Sequence, residues 1–166
     1  DPGVHLTASV IGFDLILVRA EAITRPFALV FHIAAALNVI YAMHEDSRRT
    51  AATGLAYAGA AIAALFAGDF ITLFIYWELT AFTSVFLILA GRNPRSFAAA
   101  MRYLLTQVTS GVILLAGAVV LVGSGNGIAI TALSVETLGG ALVLLAFAIK
   151  AAFPFVNGWL QDAYPE

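Results

Sequence analysis

The sequence predicts an all-α membrane protein: about five transmembrane helices, one of them broken, preceded by a short surface β-hairpin. Three observations carry this expectation. First, 61% of the 166 residues are hydrophobic and only 11% are charged, against about 25% charged in an ordinary soluble domain. Second, the charges are confined: between Ala51 and Gly91 they are Asp69 and Glu78 alone, and between Tyr103 and Gln161 they are Glu136 and Lys150. Third, the apolar runs between turn signals approach or exceed the ~17 residues that a span requires. The net charge of −2 offers no broad basic surface for phosphate backbones, which argues against nucleic acid as a partner. With no cysteine, disulfides, thiolate chemistry and sulfur-ligated metals are excluded. The chain opens on Asp1-Pro2-Gly3 and ends on Pro165-Glu166, and it reads as a piece of a longer chain.

Residues 4–20 alternate weakly, are interrupted by Gly12 and Asp14, and are too short and charged to cross a bilayer. A β-hairpin at the membrane surface fits them, so residues 1–25 read as an extracytoplasmic hairpin or surface segment and 26–166 as a transmembrane bundle. Pro26 suits a helix's first turn, and Phe27 to Met43 make the first apolar helix. Glu45, Asp46, Arg48 and Arg49 end it; a second helix covers Ala51 to Ala67, and Gly68-Asp69 is a very short turn. The third runs from about Phe70 to Ala90, stopped by Gly91-Arg92-Asn93-Pro94, and the fourth from about Ser96 to Val122. After the flexible segment Gly123 to Gly127, a last apolar run reaches from Leu138 to Phe153. A small residue at every fourth position of the second helix (Ala52, Ala56, Ala60, Ala64, Gly68) suggests a packing stripe. If the helices alternate, Arg48, Arg49, Arg92 and Arg95 share one side, which the positive-inside rule makes cytoplasmic.

Two charges fall inside the expected spans. Glu78 lies about 12 Å into its helix by helical rise, near the bilayer centre, where a carboxylate costs at least ~2.5 kcal/mol on insertion scales and so is neutral, paired or beside water. Lys150 is the only lysine, and every other cation is arginine. An ammonium can release its proton, whereas a guanidinium stays charged. Pro154 lacks the N–H that would bond the Lys150 carbonyl, so the last helix is expected to break between Lys150 and Gly158, as membrane helices do beside protein or a watery cavity. On the energetic argument that neither charge faces lipid, their side chains are expected within about 12 Å of each other. His32 is read as a packing residue, with proton relay as its alternative role, and Thr106, Gln107, Thr109 and Ser110 as groups that order water or bridge helices. No phosphate loop, His pair at metal spacing or nucleophile triad stands out, so no catalytic residue, metal or cofactor is expected.

Three stretches carry a resemblance: Gly68-Asp-Phe-Ile-Thr-Leu-Phe-Ile-Tyr-Trp-Glu-Leu79, Arg102-Tyr-Leu-Leu-Thr-Gln-Val-Thr-Ser-Gly111, and Ala148-Ile-Lys-Ala-Ala-Phe-Pro154 with Trp159-Leu-Gln-Asp-Ala-Tyr164. They resemble the antiporter-like membrane subunits shared by respiratory complex I and Mrp-type sodium/proton antiporters, and the Asp-Ala-Tyr-Pro-Glu ending is most similar to the D-type branch of the Mrp antiporters. The resemblance implies a fragment of a larger inverted-repeat bundle covering most of the first repeat. It also implies a coupled Glu78–Lys150 pair in a proton path, proton translocation with sodium as an exchanged ion, and membrane subunits as partners in the cell inner membrane. Where the family often has His before Gly-Trp-Leu-Pro-Asp-Ala, this chain has Asn157 and Gln161. The resemblance assigns no covalent chemistry to this chain itself, although an NADH-quinone oxidoreductase-like complex is among the assemblies it implies. Two other readings stand beside it: a membrane scaffold with a static buried ion pair, and a proton-conducting subunit of an inorganic-carbon uptake complex.

Overall fold

The computed structural model describes residues 2–10, 12–43, 47–163 and 165. Asp1, Glu45, Asp46, Tyr164 and Glu166, named above, lie outside the described residues. The elements run β1 (Gly3–Val10), β2 (Phe13–Ala20), α1 (Thr24–Ala42), α2 (Arg48–Leu65), α3 (Phe70–Leu89), α4 (Pro94–Gly123), α5 (Leu138–Lys150) and α6 (Gly158–Ala163). The chain divides into two compact units, Asp1–Ser84 and Val85–Glu166.

In the first unit β1 and β2 form an antiparallel hairpin closed by the pair Val10–Phe13, and Gly12 takes φ +79° in the turn, a conformation open to glycine at little cost. β2 is tied to the chain between α2 and α3: Arg19 N–H donates to the Phe66 carbonyl at 2.7 Å and Gly68 N–H to the Ile16 carbonyl at 2.9 Å. A side chain at Gly68 would land inside that of Ile16, so only glycine lets the strand lie this close. Ser47 caps α2 by accepting from Thr50 N–H, which starts that helix at Arg48 rather than Ala51. α1 and α2 pack through Ala35, Asn38 and Val39 on one side and Ala51, Gly54, Leu55 and Ala58 on the other, around a cavity of about 190 Å³. The expected stripe is packed in its second half only: Ala60 and Gly68 are buried and Ala64 half-buried, whereas Ala52 and Ala56 are exposed and at the α1 seam it is Gly54 that faces Asn38.

In the second unit a capping box starts α4. Asn93 Oδ1 accepts from Ser96 N–H and Ser96 Oγ accepts from Asn93 N–H, with Pro94 in the first turn. The helix ends in a Schellman motif around Gly125 at φ +85°, with Asn126 N–H donating to Leu121 and Gly125 N–H to Val122. α5 returns antiparallel against α4. A Cβ on Gly117 would meet Val143 at 2.9 Å and the Gly139 carbonyl at 3.1 Å, so glycine brings the two backbones together. Further along, Ser110 Oγ donates to the Ala146 carbonyl at 3.2 Å. A core of Val85, Ile88, Ala99, Ala100, Tyr103 and Ala163, with Trp159 against it, holds α6 to α4.

The chain is thus mostly helical with a two-stranded hairpin. Among the described residues α1, α3 and α4 are long and apolar enough to cross a membrane. Length and composition alone therefore support three spans rather than about five. α5 has only 13 residues, and α2 opens on two arginines and is rich in alanine and glycine.

Candidate functional site

α3 is anchored at its start by Asp69, which is fully buried. Its carboxylate accepts from Thr72 N–H at 2.7 Å through Oδ1, and from Thr72 Oγ1 at 2.7 Å and Ile16 N–H at 2.6 Å through Oδ2. One side chain therefore caps the helix and fastens the hairpin to it. Eight residues into α3 stands Glu78, half-buried, with Oε1 shielded from solvent. The next turn carries three hydroxyls turned back onto their own helix: Thr80 to the Trp77 carbonyl, Thr83 to Leu79 and Ser84 to Thr80.

Lys150, half-buried, is the last residue of α5. The helix closes there in a Schellman motif. Ala152 N–H donates to Ile149, Phe153 N–H to Ala148, and Ala152 takes φ +53°. Pro154 and Phe155 follow as the central residues of a tight turn, closed by Val156 N–H donating to the Phe153 carbonyl, with Phe155 at φ +76°. α6 then begins at Gly158, and its Trp159 Nε1 donates to the Ile149 carbonyl at 3.0 Å while stacking edge-on against Tyr103. The interruption thus pairs the Ala152, Phe153 and Val156 N–H groups locally.

His32 is exposed, and its Nδ1 lies 2.7 Å from the Ala28 carbonyl one turn back. Thr106 and Thr109 likewise donate to their own helix, to Arg102 and Leu105. Thr106 also lines a cavity of about 430 Å³ with Thr109, Ile149 and Trp159, so this turn of α4 runs alongside the end of α5. Gln107, on that same turn, is 1% exposed, and neither Nε2 nor Oε1 has a hydrogen-bond partner among the described residues. In the second unit Thr106 and Gly158 line one cavity at the end of α5, Ser110 bonds one turn earlier at Ala146 and Pro154 sits within the break, while Glu78 and His32 belong to the first unit. No group of three or more His, Asp or Glu side chains among the described residues gathers to hold a metal ion.

Sequence reasoning missed Asp69, Asp162 and the capping role of Trp159. For Asp69 the signal was present, since an acidic residue three before a threonine at a helix start is a capping pattern. Asp162 Oδ2 accepts from Arg102 Nε at 2.7 Å, joining α6 to α4 across 60 residues of sequence, which no local pattern reveals.

Apolar helices, three of them among the described residues long enough to cross a bilayer, with half-buried ionisable groups on α3 and at the end of the interrupted α5, have the character of a membrane domain. The family described as NADH:quinone oxidoreductase/Mrp antiporter, TM matches residues 67–166, more than half of the chain, and the chain belongs to that family. The match takes in Asp69 and every element from α3 to α6. A curated relative, NAD(P)H-quinone oxidoreductase chain 4 1 of Synechococcus sp. (strain JA-2-3B'a(2-13)), is 26% identical over 117 residues, 65% of this chain. The chain spans 22% of that relative's length.

Proposed function

We propose that this chain forms part of a proton-translocating subunit of a multi-subunit membrane complex, with Glu78 and Lys150 as its coupled proton-handling pair. The observation that supports the reading best is Lys150 itself: the single lysine, half-buried, at the end of an apolar helix that stops and restarts eight residues later. An ammonium there is favoured when a carboxylate is near and discharged when it is withdrawn, so a change in the distance to Glu78 becomes a change in proton occupancy. The family supports ion translocation as the setting. The Asp-Ala-Tyr-Pro-Glu ending supports the sodium/proton antiport branch, whereas the named relative is an oxidoreductase chain.

In this reading α2 and α5 complete a bundle of about five membrane-crossing elements, residues 26–166 supply most of the first of two inverted repeats, and residues 1–25 cover its extracytoplasmic side. The bundle lies in the cell inner membrane among partner subunits. The test is proton-coupled flux in inverted vesicles carrying the complete protein in its complex. Lys150→Ala and Glu78→Gln lower flux about tenfold or more, equivalent to ~1.4 kcal/mol or more of added barrier, while assembly is kept. Lys150→Arg also impairs flux, because guanidinium does not release its proton. Full flux in Lys150→Arg overturns titration at this residue. Full flux in the Glu78→Gln/Lys150→Met double variant assigns the pair to scaffolding.

A further inference from the structure

The geometry points to a binding site for the phosphodiester headgroup of an anionic lipid at the N-terminal end of α4. A cavity of about 540 Å³ opens there, lined by Arg95, Arg102, Gln161 and Asp162 with Pro94 and Pro165 at its ends. Arg95 and Arg102 are seven residues apart, two helical turns, and so project from the same face of α4. Among the described residues two guanidiniums line the cavity against one carboxylate, Asp162. Arg102 spends only Nε on that carboxylate, and Arg95 makes no hydrogen bond or ion pair among the described residues. Both therefore keep terminal N–H groups for a tetrahedral oxyanion, which guanidinium forks recognise well.

Two features favour a lipid over free phosphate. With 30 residues, α4 is about 45 Å long, some 15 Å more than the hydrocarbon core of a bilayer, so one or both of its ends stand at headgroup level. The two arginines lie within its first nine residues, at the end where charge is tolerated. One turn on from Arg102 begins an exposed apolar stripe, Leu105, Val112 and Val119, that continues along α4 beside the arginine face and offers the acyl chains a surface. A phosphate above and a hydrocarbon track below match the two halves of one glycerophospholipid. Basic pockets at helix ends on the cytoplasmic side hold anionic headgroups on this same chemistry.

The test places the full-length protein, in its complex, in phosphatidylcholine nanodiscs doped with spin-labelled phosphatidylglycerol or spin-labelled phosphatidylcholine, and reads the motionally restricted fraction. The native protein retains the phosphatidylglycerol label preferentially. Arg95→Gln, at an exposed position with no partner to lose among the described residues, lowers that preference about fivefold, the equivalent of the ~1 kcal/mol that one cation contributes at a membrane surface. Arg95→Lys keeps most of it. Unchanged preference in both Arg95→Gln and Arg102→Gln overturns the site. Inorganic phosphate, compared with chloride at equal ionic strength, leaves the restricted fraction unaltered; displacement beyond the chloride control assigns the cavity to free phosphate and overturns the lipid.

Discussion

The three donors on the Asp69 carboxylate, Ile16 N–H, Thr72 N–H and Thr72 Oγ1, are held at a side chain with no solvent exposure. Removing the acceptor strands several buried donors at about 1–3 kcal/mol each. Asp69→Ala should therefore destabilise the protein by about 3 kcal/mol or more, read as a lower melting temperature in detergent together with faster protease cleavage of the hairpin. Thr72→Val, which removes one donor and keeps the carboxylate on the other two, should cost only about 1 kcal/mol. Gln107 presents the opposite balance. Its amide is buried with neither end bonded among the described residues, so Gln107→Leu removes polar groups that already cost ~1–3 kcal/mol when unsatisfied. If the amide serves water and protons beside the α5 break, Gln107→Leu melts no lower than the native protein yet conducts protons more slowly. Unchanged flux would make Gln107 a packing residue.

At the scale of elements, the interruption after Lys150 depends on backbone that leaves the helical region twice, at Ala152 and Phe155. Each non-glycine residue held there costs roughly 1–2 kcal/mol relative to an unstrained one. Ala152→Gly should relieve part of this and raise stability by about 1 kcal/mol in the same melting assay; a loss of stability would mean that its methyl packs more than its backbone strains. The break was legible in the sequence because Pro154 and Gly158 forbid a straight helix. What was not legible is the motif that ends α5 at Lys150, whose left-handed residue is alanine rather than the usual glycine. The helix positions were legible to within a few residues from hydrophobic runs and caps. The α1–α2 seam was not, because alanine spacing cannot distinguish a packed face from one left open, and Gly54 decides the closer approach. Nor were the ties from Asp69 to Ile16 and from Asp162 to Arg102, which join residues 53 and 60 apart. Such pairings depend on which elements meet, information that no local window contains.

For the whole molecule, the distribution of exposed apolar side chains argues for a bilayer. α1 carries Phe27, Leu29, Val30, Ile33, Leu37 and Ile40 open to its surroundings, and α3 exposes Ile75, Leu79, Phe82 and Phe86 along one stripe. α4 is apolar on both faces: Leu114, Ala118 and Leu121 are buried, while Leu105, Val112 and Val119 are exposed. A helix apolar all round needs lipid or protein on every side. With 20 residues, α3 rises about 30 Å, the thickness of the hydrocarbon core, so it is long enough for its two ends to reach opposite faces. Its first end is fastened to the hairpin through Gly68 and Asp69. Hairpin and α2–α3 turn therefore lie together at that end of α3. If α3 crosses the bilayer, the positive-inside rule puts the end followed by Arg92 and Arg95 on the cytoplasmic side. Buried Asp69 cannot report this by labelling, because no reagent reaches it. Exposed Ser9 and Gly91 can. In intact cells an impermeant maleimide should modify Ser9→Cys and reach Gly91→Cys only after lysis. The reverse pattern would invert the orientation, and modification of both from outside would mean that α3 does not cross the membrane.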